Sequence, residues 1–103
     1  MFEVSSLDGV IGVEGEVDVS IAHDFALTLG EAVAADRDGL MVRVDLTGLT
    51  FLDEAGVQAL LSVANAMGRR LLMLTNPTPA VERLFEITRI GDHPAIRIVR
   101  TGP

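Results

Sequence analysis

Few residues in this chain have the type and spacing to do chemistry. Asp53-Glu54-Ala55-Gly56 opens an apolar stretch in which Val57, Leu60, Leu61 and Ala64 keep helical spacing. In that place Asp53 is an N-cap, its carboxylate accepting from amides two or three residues on. Glu54 complements the positive end of the helix dipole, a contribution of about 0.3–1 kcal/mol. Gly56 has no Cβ, so another molecule can approach the first turn closely; the plainer alternative is a cap followed by a packing glycine. Glu14, Glu16 and Asp18 point the same way from one extended segment. Like carboxylates on an open strand face are usually just solvated, and a docking surface for a basic partner is the other reading. His23-Asp24 and Asp92-His93 each join a histidine to an acid, but a metal site needs three or four converging ligands, so both histidines are expected at the surface.

The remaining chemistry is mostly excluded. The chain has no cysteine, which removes disulfides, thiolate metal sites and a cysteine nucleophile. All eight basic residues are arginine, so the lysine of a phosphate-binding P-loop is absent. No serine lies in a Gly-x-Ser-x-Gly elbow. Thr47, Thr50, Ser62, Thr75 and Thr78 are hydroxyls without an evident base, and Thr50 and Thr75 stand as alternative phosphoacceptors near one end of the sheet. No cofactor, no metal and no enzymatic activity are expected. Fifteen acidic residues give a net charge of −7, which repels a nucleic-acid backbone and suits a partner with a basic face. The chain is 49% hydrophobic over 103 residues, enough to fill one core. Its apolar runs fall far short of the ~20 residues a membrane span needs, and its first residues show no basic export signal, so a cytoplasmic location is expected.

The elements that must position these residues follow from periodicity. Phe2 and Val4 precede Leu7-Asp8-Gly9, a hairpin signal. Ile11, Val13, Gly15 and Val17 then share one face of a strand. Ser20 is placed to cap a helix with Asp24 in its first turn, and Ile21, Phe25, Leu29 and Val33 form its apolar stripe. A turn over Ala35–Gly39 leads to a strand over Leu40–Leu46, whose Arg43 is expected to be paired or near an edge. The helix from Asp53 is expected to end at Gly68 as its C′ residue. Leu71–Leu74 reads as a central strand, Thr78-Pro79 opens a third helix ending at Gly91, and Ala95–Val99 reads as an edge strand. The order β-β-α-β-α-β-α-β implies an α/β fold in one domain over residues 1–103: a small mixed sheet, antiparallel at its N-terminal hairpin and then parallel, covered by amphipathic helices. Its informative crevice lies outside the carboxyl ends of the parallel strands, over Asp45–Val57.

That stretch, Asp45-Leu46-Thr47-Gly48-Leu49-Thr50-Phe51-Leu52-Asp53-Glu54-Ala55-Gly56-Val57-Gln58-Ala59-Leu60-Leu61, resembles the signature of the STAS domain. The module is shared by sulfate transporters and anti-sigma factor antagonists. Gly15-Glu16-Val17-Asp18 and the passage from Asn76-Pro77 to Val81-Glu82-Arg83-Leu84-Phe85 extend the likeness. The resemblance implies a STAS-like fold and a partner-binding surface made of Asp18, Ser20, Thr50, Asp53, Glu54, Ala55, Gly56 and Val57. Leu49, Leu52 and Val57 are read as core first, and as exposed members of that patch second.

In the antagonists a kinase that doubles as the anti-sigma factor phosphorylates a hydroxyl in this first turn. The alignment puts Glu54 at the family's first serine and Ala55 at the second, usually phosphorylated one. Ala55 has no oxygen to accept a phosphate. Three outcomes stay open: constant binding to the partner, a released-like state with Glu54 standing in for phosphate, or control exerted by the partner in another system. One carboxylate carries less charge than a phosphate and sits one residue early, which disfavours the second. The implied partner is an anti-sigma factor, a GHKL-type serine kinase. The alternative is the ATPase of an ABC-type lipid or solute transporter, with this chain as accessory subunit.

Overall fold

The computed structural model describes residues 1–36 and 39–100. β1 (Phe2–Leu7) and β2 (Val10–Val17) are antiparallel, with Leu7 facing Val10. The turn between them is Asp8-Gly9, whose φ angles of 52° and 79° are both positive. A two-residue hairpin loop that follows the strand twist demands that geometry, which is why Asp-Gly serves there. In β2, Ile11, Val13 and Val17 are buried while Glu14 and Glu16 are exposed, as the alternation predicts.

α1 (Ala22–Ala35) buries Ala22, Phe25, Leu29 and Val33. The Phe25 ring meets Phe2 edge-on at 5.3 Å, tying the helix to β1. Its N-cap is Ile21, without a side-chain cap, so the capping role expected of Ser20 is not observed. The Ser20 hydroxyl is engaged elsewhere, donating to Asp18 Oδ1. The far end of α1 is capped from a distance: Arg70 Nη1 donates to the Val33 carbonyl at 3.1 Å, and the same guanidinium lies 3.6 Å from Asp36. Of the turn read over Ala35–Gly39, Arg37 and Asp38 lie outside the described residues.

β3 (Met41–Leu52) runs well past the expected Leu46. It pairs in parallel with β2 on one side and with β4 (Leu71–Thr75) on the other. The strand order is β1-β2-β3-β4-β5, with β5 (Ile96–Val99) at the edge. Arg43 therefore sits in the central strand rather than near an edge. α2 (Glu54–Asn65) closes on Ala66, so Gly68 (φ 67°) stands two residues beyond the cap instead of at C′. α3 (Pro79–Thr88) starts as its sequence predicts, with Thr78 Oγ1 accepting from the Val81 amide. It ends on Arg89, left-handed at φ 57°, and Gly91 falls inside a following 3₁₀ turn over Ile90–Asp92. One core joins the buried strand residues to Phe25, Leu29, Leu60, Val81 and Phe85 of the helices. Among the described residues no helix is long and apolar enough to cross a membrane.

Candidate functional site

The site is built where β2 and β3 end and α2 begins. From Gly12 to Val17 β2 takes five steps, while its partners Asp45 to Leu52 take seven, so β3 carries two extra residues as bulges. The first is held by Asp45, whose Oδ1 accepts from the Thr47 amide at 3.1 Å and the Thr47 hydroxyl at 2.7 Å. The second is held by Thr50, whose hydroxyl donates to the Gly15 carbonyl at 3.1 Å. Gly15 has φ 102°, and a Cβ there would stand 2.3 Å from the Met1 carbonyl oxygen. No other residue type fits that corner without moving the chain start.

Past the corner, Asp18 Oδ1 accepts from the Ser20 amide at 2.9 Å and the Ser20 hydroxyl at 2.5 Å. The hydroxyl bond is the main cause holding the Asp18 carboxyl below its ordinary value of 3.8; its slight desolvation works the other way, and the Ser20 and Ile21 amides add to the lowering. This short turn lies next to the start of α2, because the Asp53 amide donates to the Val17 carbonyl at 3.3 Å.

Asp53 caps α2 as its sequence predicts, Oδ1 accepting from the Gly56 amide at 3.1 Å. Glu54 is exposed, and Ala55 is half-buried with its methyl leaning on the core. Gly56 and Val57 turn inward, Val57 being only 2% exposed. A Cβ on Gly56 would lie 2.2 Å from Leu52 Cδ1 and 3.3 Å from Val17 Cγ1. The expectation that Gly56 offers an approachable backbone is thus replaced by the plainer one: Gly56 lets α2 pack on Leu52 and Val17. Leu49 and Leu52 are core as well. Thr75 is fully buried and its hydroxyl donates to the Val44 carbonyl, which removes it as a phosphoacceptor, while Thr50 is exposed.

The structure brings Asp18, Ser20, Thr50, Asp53 and Glu54 to one end of the molecule, with part of Ala55 reaching the surface. Two apolar residues missing from the sequence-derived set join them: Val19 is 75% exposed and Phe51 48%. Phe51 stands across from Glu16. Strict alternation from Leu46 would send residues 48, 50 and 52 inward and 51 outward; the bulges make the inward set Leu46, Leu49 and Leu52 and keep Phe51 outside. His23 is exposed, but His93 is half-buried, with Nε2 2.7 Å from Asn65 Oδ1 and Nδ1 accepting from the Ala95 amide. Among the described residues no cluster of His, Cys, Asp or Glu could hold a metal ion.

A family model described as "Mlab, STAS domain" matches residues 1–100. No curated protein matches the chain. Among solved structures, an anti-sigma factor antagonist from Mycobacterium paratuberculosis superposes with a TM-score of 0.73 at 23% identity, over 94% of this chain and 84% of that one. The unphosphorylated form of the anti-sigma factor antagonist SpoIIAA gives 0.65 at 20% identity, over 96% and 88%. An RsbS variant from Moorella thermoacetica gives 0.60 at 20% identity, over 98% and 87%.

Proposed function

The chain belongs to the STAS-domain family, and from that premise we propose that it is a non-enzymatic binding module of the anti-sigma factor antagonist type. In this reading it docks on an anti-sigma factor of the GHKL serine-kinase kind and so frees a sigma factor. The observation that carries the reading is the surface at the start of α2. There the exposed Glu54, the capping Asp53 and the partly exposed Ala55 lie at the same end as Asp18, with exposed Val19 and Phe51 supplying apolar area. An acidic rim around a few apolar side chains suits a partner with arginines or lysines around an apolar centre. Gly56 and Val57 act beneath this surface, by packing, and do not touch the partner.

The test is a binding titration against purified GHKL-type anti-sigma kinases of the source organism. Val19→Asp and Glu54→Arg alter exposed side chains and should each weaken binding at least ~10-fold, about 1.4 kcal/mol, while thermal unfolding stays cooperative. Failure of the wild type to bind any such kinase overturns the reading. The missing hydroxyl at Ala55 favours a second reading, an accessory subunit of an ABC-type transporter whose assembly needs no phosphate switch. Co-purification with an ATPase and its permease distinguishes it.

A further inference from the structure

The buried strand residues Ile11, Val44 and Leu74, and likewise Val42, Leu72 and Ile96, lie in register on one face and share a core with all three helices. Since β2, β3, β4 and β5 are neighbours in chain order, crossovers of a single hand carry every helix to that same side. Among the described residues no helix packs on the other face of the sheet, whose side chains form two adjacent rows of contrasting size, with Thr75 fully buried in its row. One row reads Leu7, Val10, Arg43, Met73, Arg97 across the five strands; the next reads Ser5, Gly12, Asp45, Thr75, Val99.

Arg43 stands in the middle of the bulky row. Its Nε is buried and has no hydrogen-bond partner, and among the described residues no carboxylate lies within ion-pair distance of its guanidinium. A shielded guanidinium donor with nothing to accept its proton is costly. Beside it Asp45 spends Oδ1 on Thr47, which leaves Oδ2 for an outside donor. Around this pair the face is apolar, with Leu7 75% and Met41 45% exposed and Val10, Leu71 and Met73 half-buried.

We propose that the open face pairs with the same face of a second copy of this chain. A two-fold axis running across the strands, between the two rows, lays each bulky row on the other copy's small row. Leu7 then covers Ser5, Val10 covers Gly12, and each Arg43 meets the Asp45 of the second copy. Size and charge are both self-complementary under that one operation, which an isologous interface requires. Sheets stacked in this way lie about 10 Å apart, within reach of an arginine. Five strands spaced about 4.8 Å and about 20 Å long offer roughly 450 Å² of face per copy. That is at the small end for specific association, so the dimer is weak and reversible.

The proposal is independent of the docking function, and its test uses this chain alone. Sedimentation equilibrium from about 1 µM to about 1 mM, in about 0.15 M salt to screen the net charge, should show a monomer–dimer equilibrium. Arg43→Asp and Asp45→Arg should each raise the dimer Kd at least ~10-fold. An equimolar mixture of the two should regain dimerisation, because both cross-pairs are then opposite in charge. Leu7→Glu, at an exposed position, should weaken the dimer without disturbing the fold and serves if a charge-swapped chain unfolds. A wild type that stays monomeric throughout, or variants that associate like the wild type, would overturn the proposal.

Discussion

In the proposed alignment with the antagonist motif, Ala55 puts a single methyl at the phosphoacceptor position, half-buried beside the exposed Glu54. The physical consequence is local. No residue from Asp53 to Val57 offers a hydroxyl, so incubation with a partner kinase and ATP should leave that turn unmodified by peptide mass mapping. Phosphate found anywhere in it would show that the alignment with the family motif is wrong. A second prediction concerns Asp18. Its carboxyl is held below 3.8, first by the Ser20 hydroxyl and then by backbone amides of Ser20 and Ile21. A depressed folded-state value means the ionised form is preferred in the fold. Its contribution to stability is therefore present above the unfolded-state value and is lost as pH falls through the folded one. Ser20→Ala removes the largest cause and keeps the amides, so the Asp18 midpoint should rise part of the way back in a carboxyl-detected NMR titration. An unmoved midpoint would refute the role given to the hydroxyl.

At the level of elements, α2 shows how packing overrides propensity. Alanine is a better helix former than glycine by about 1 kcal/mol, so Gly56→Ala would stabilise an isolated helix. Here the added Cβ would meet Leu52 Cδ1 at 2.2 Å and Leu52 Cγ at 2.9 Å, and overpacking costs about 1–3 kcal/mol. The variant should lose stability, by about 1 kcal/mol or more in urea unfolding, whereas Asp53→Ala should lose about 1 kcal/mol through the missing cap. A stabilised Gly56→Ala would mean Leu52 has room to turn away. The same contrast marks what the sequence could reveal. The hairpin at Asp8-Gly9, the stripe from Phe25 to Val33 and the caps at Asp53 and Thr78 are local in origin and were legible. The two bulges in β3 were not, because they depend on where β2 places Gly15 and Glu14; a Cβ on Gly48 would lie 2.7 Å from Glu14 Cγ. The Arg70 bond to Val33, which caps α1 from 37 residues away, has no local signature at all.

Over the whole molecule, charge is distributed so that the proposed docking end stays unneutralised. The ion pairs of the described residues join Arg70 to Asp36, Arg89 to Asp92 and Arg100 to Glu82. None reaches Glu14, Glu16, Asp18, Asp53 or Glu54. With a net charge of −7, those carboxylates give this end of the molecule a field that attracts a basic surface before contact is made. Such steering acts on encounter more than on residence. Association with the proposed anti-sigma partner, followed by stopped flow, should therefore slow about 10-fold between low and high salt, while dissociation changes less. Glu16→Gln with Glu54→Gln removes two charges and should flatten that salt dependence, leaving the Val19 and Phe51 contacts in place. An association rate indifferent to salt would mean that the apolar centre alone selects the partner, and that the acidic rim serves only solubility.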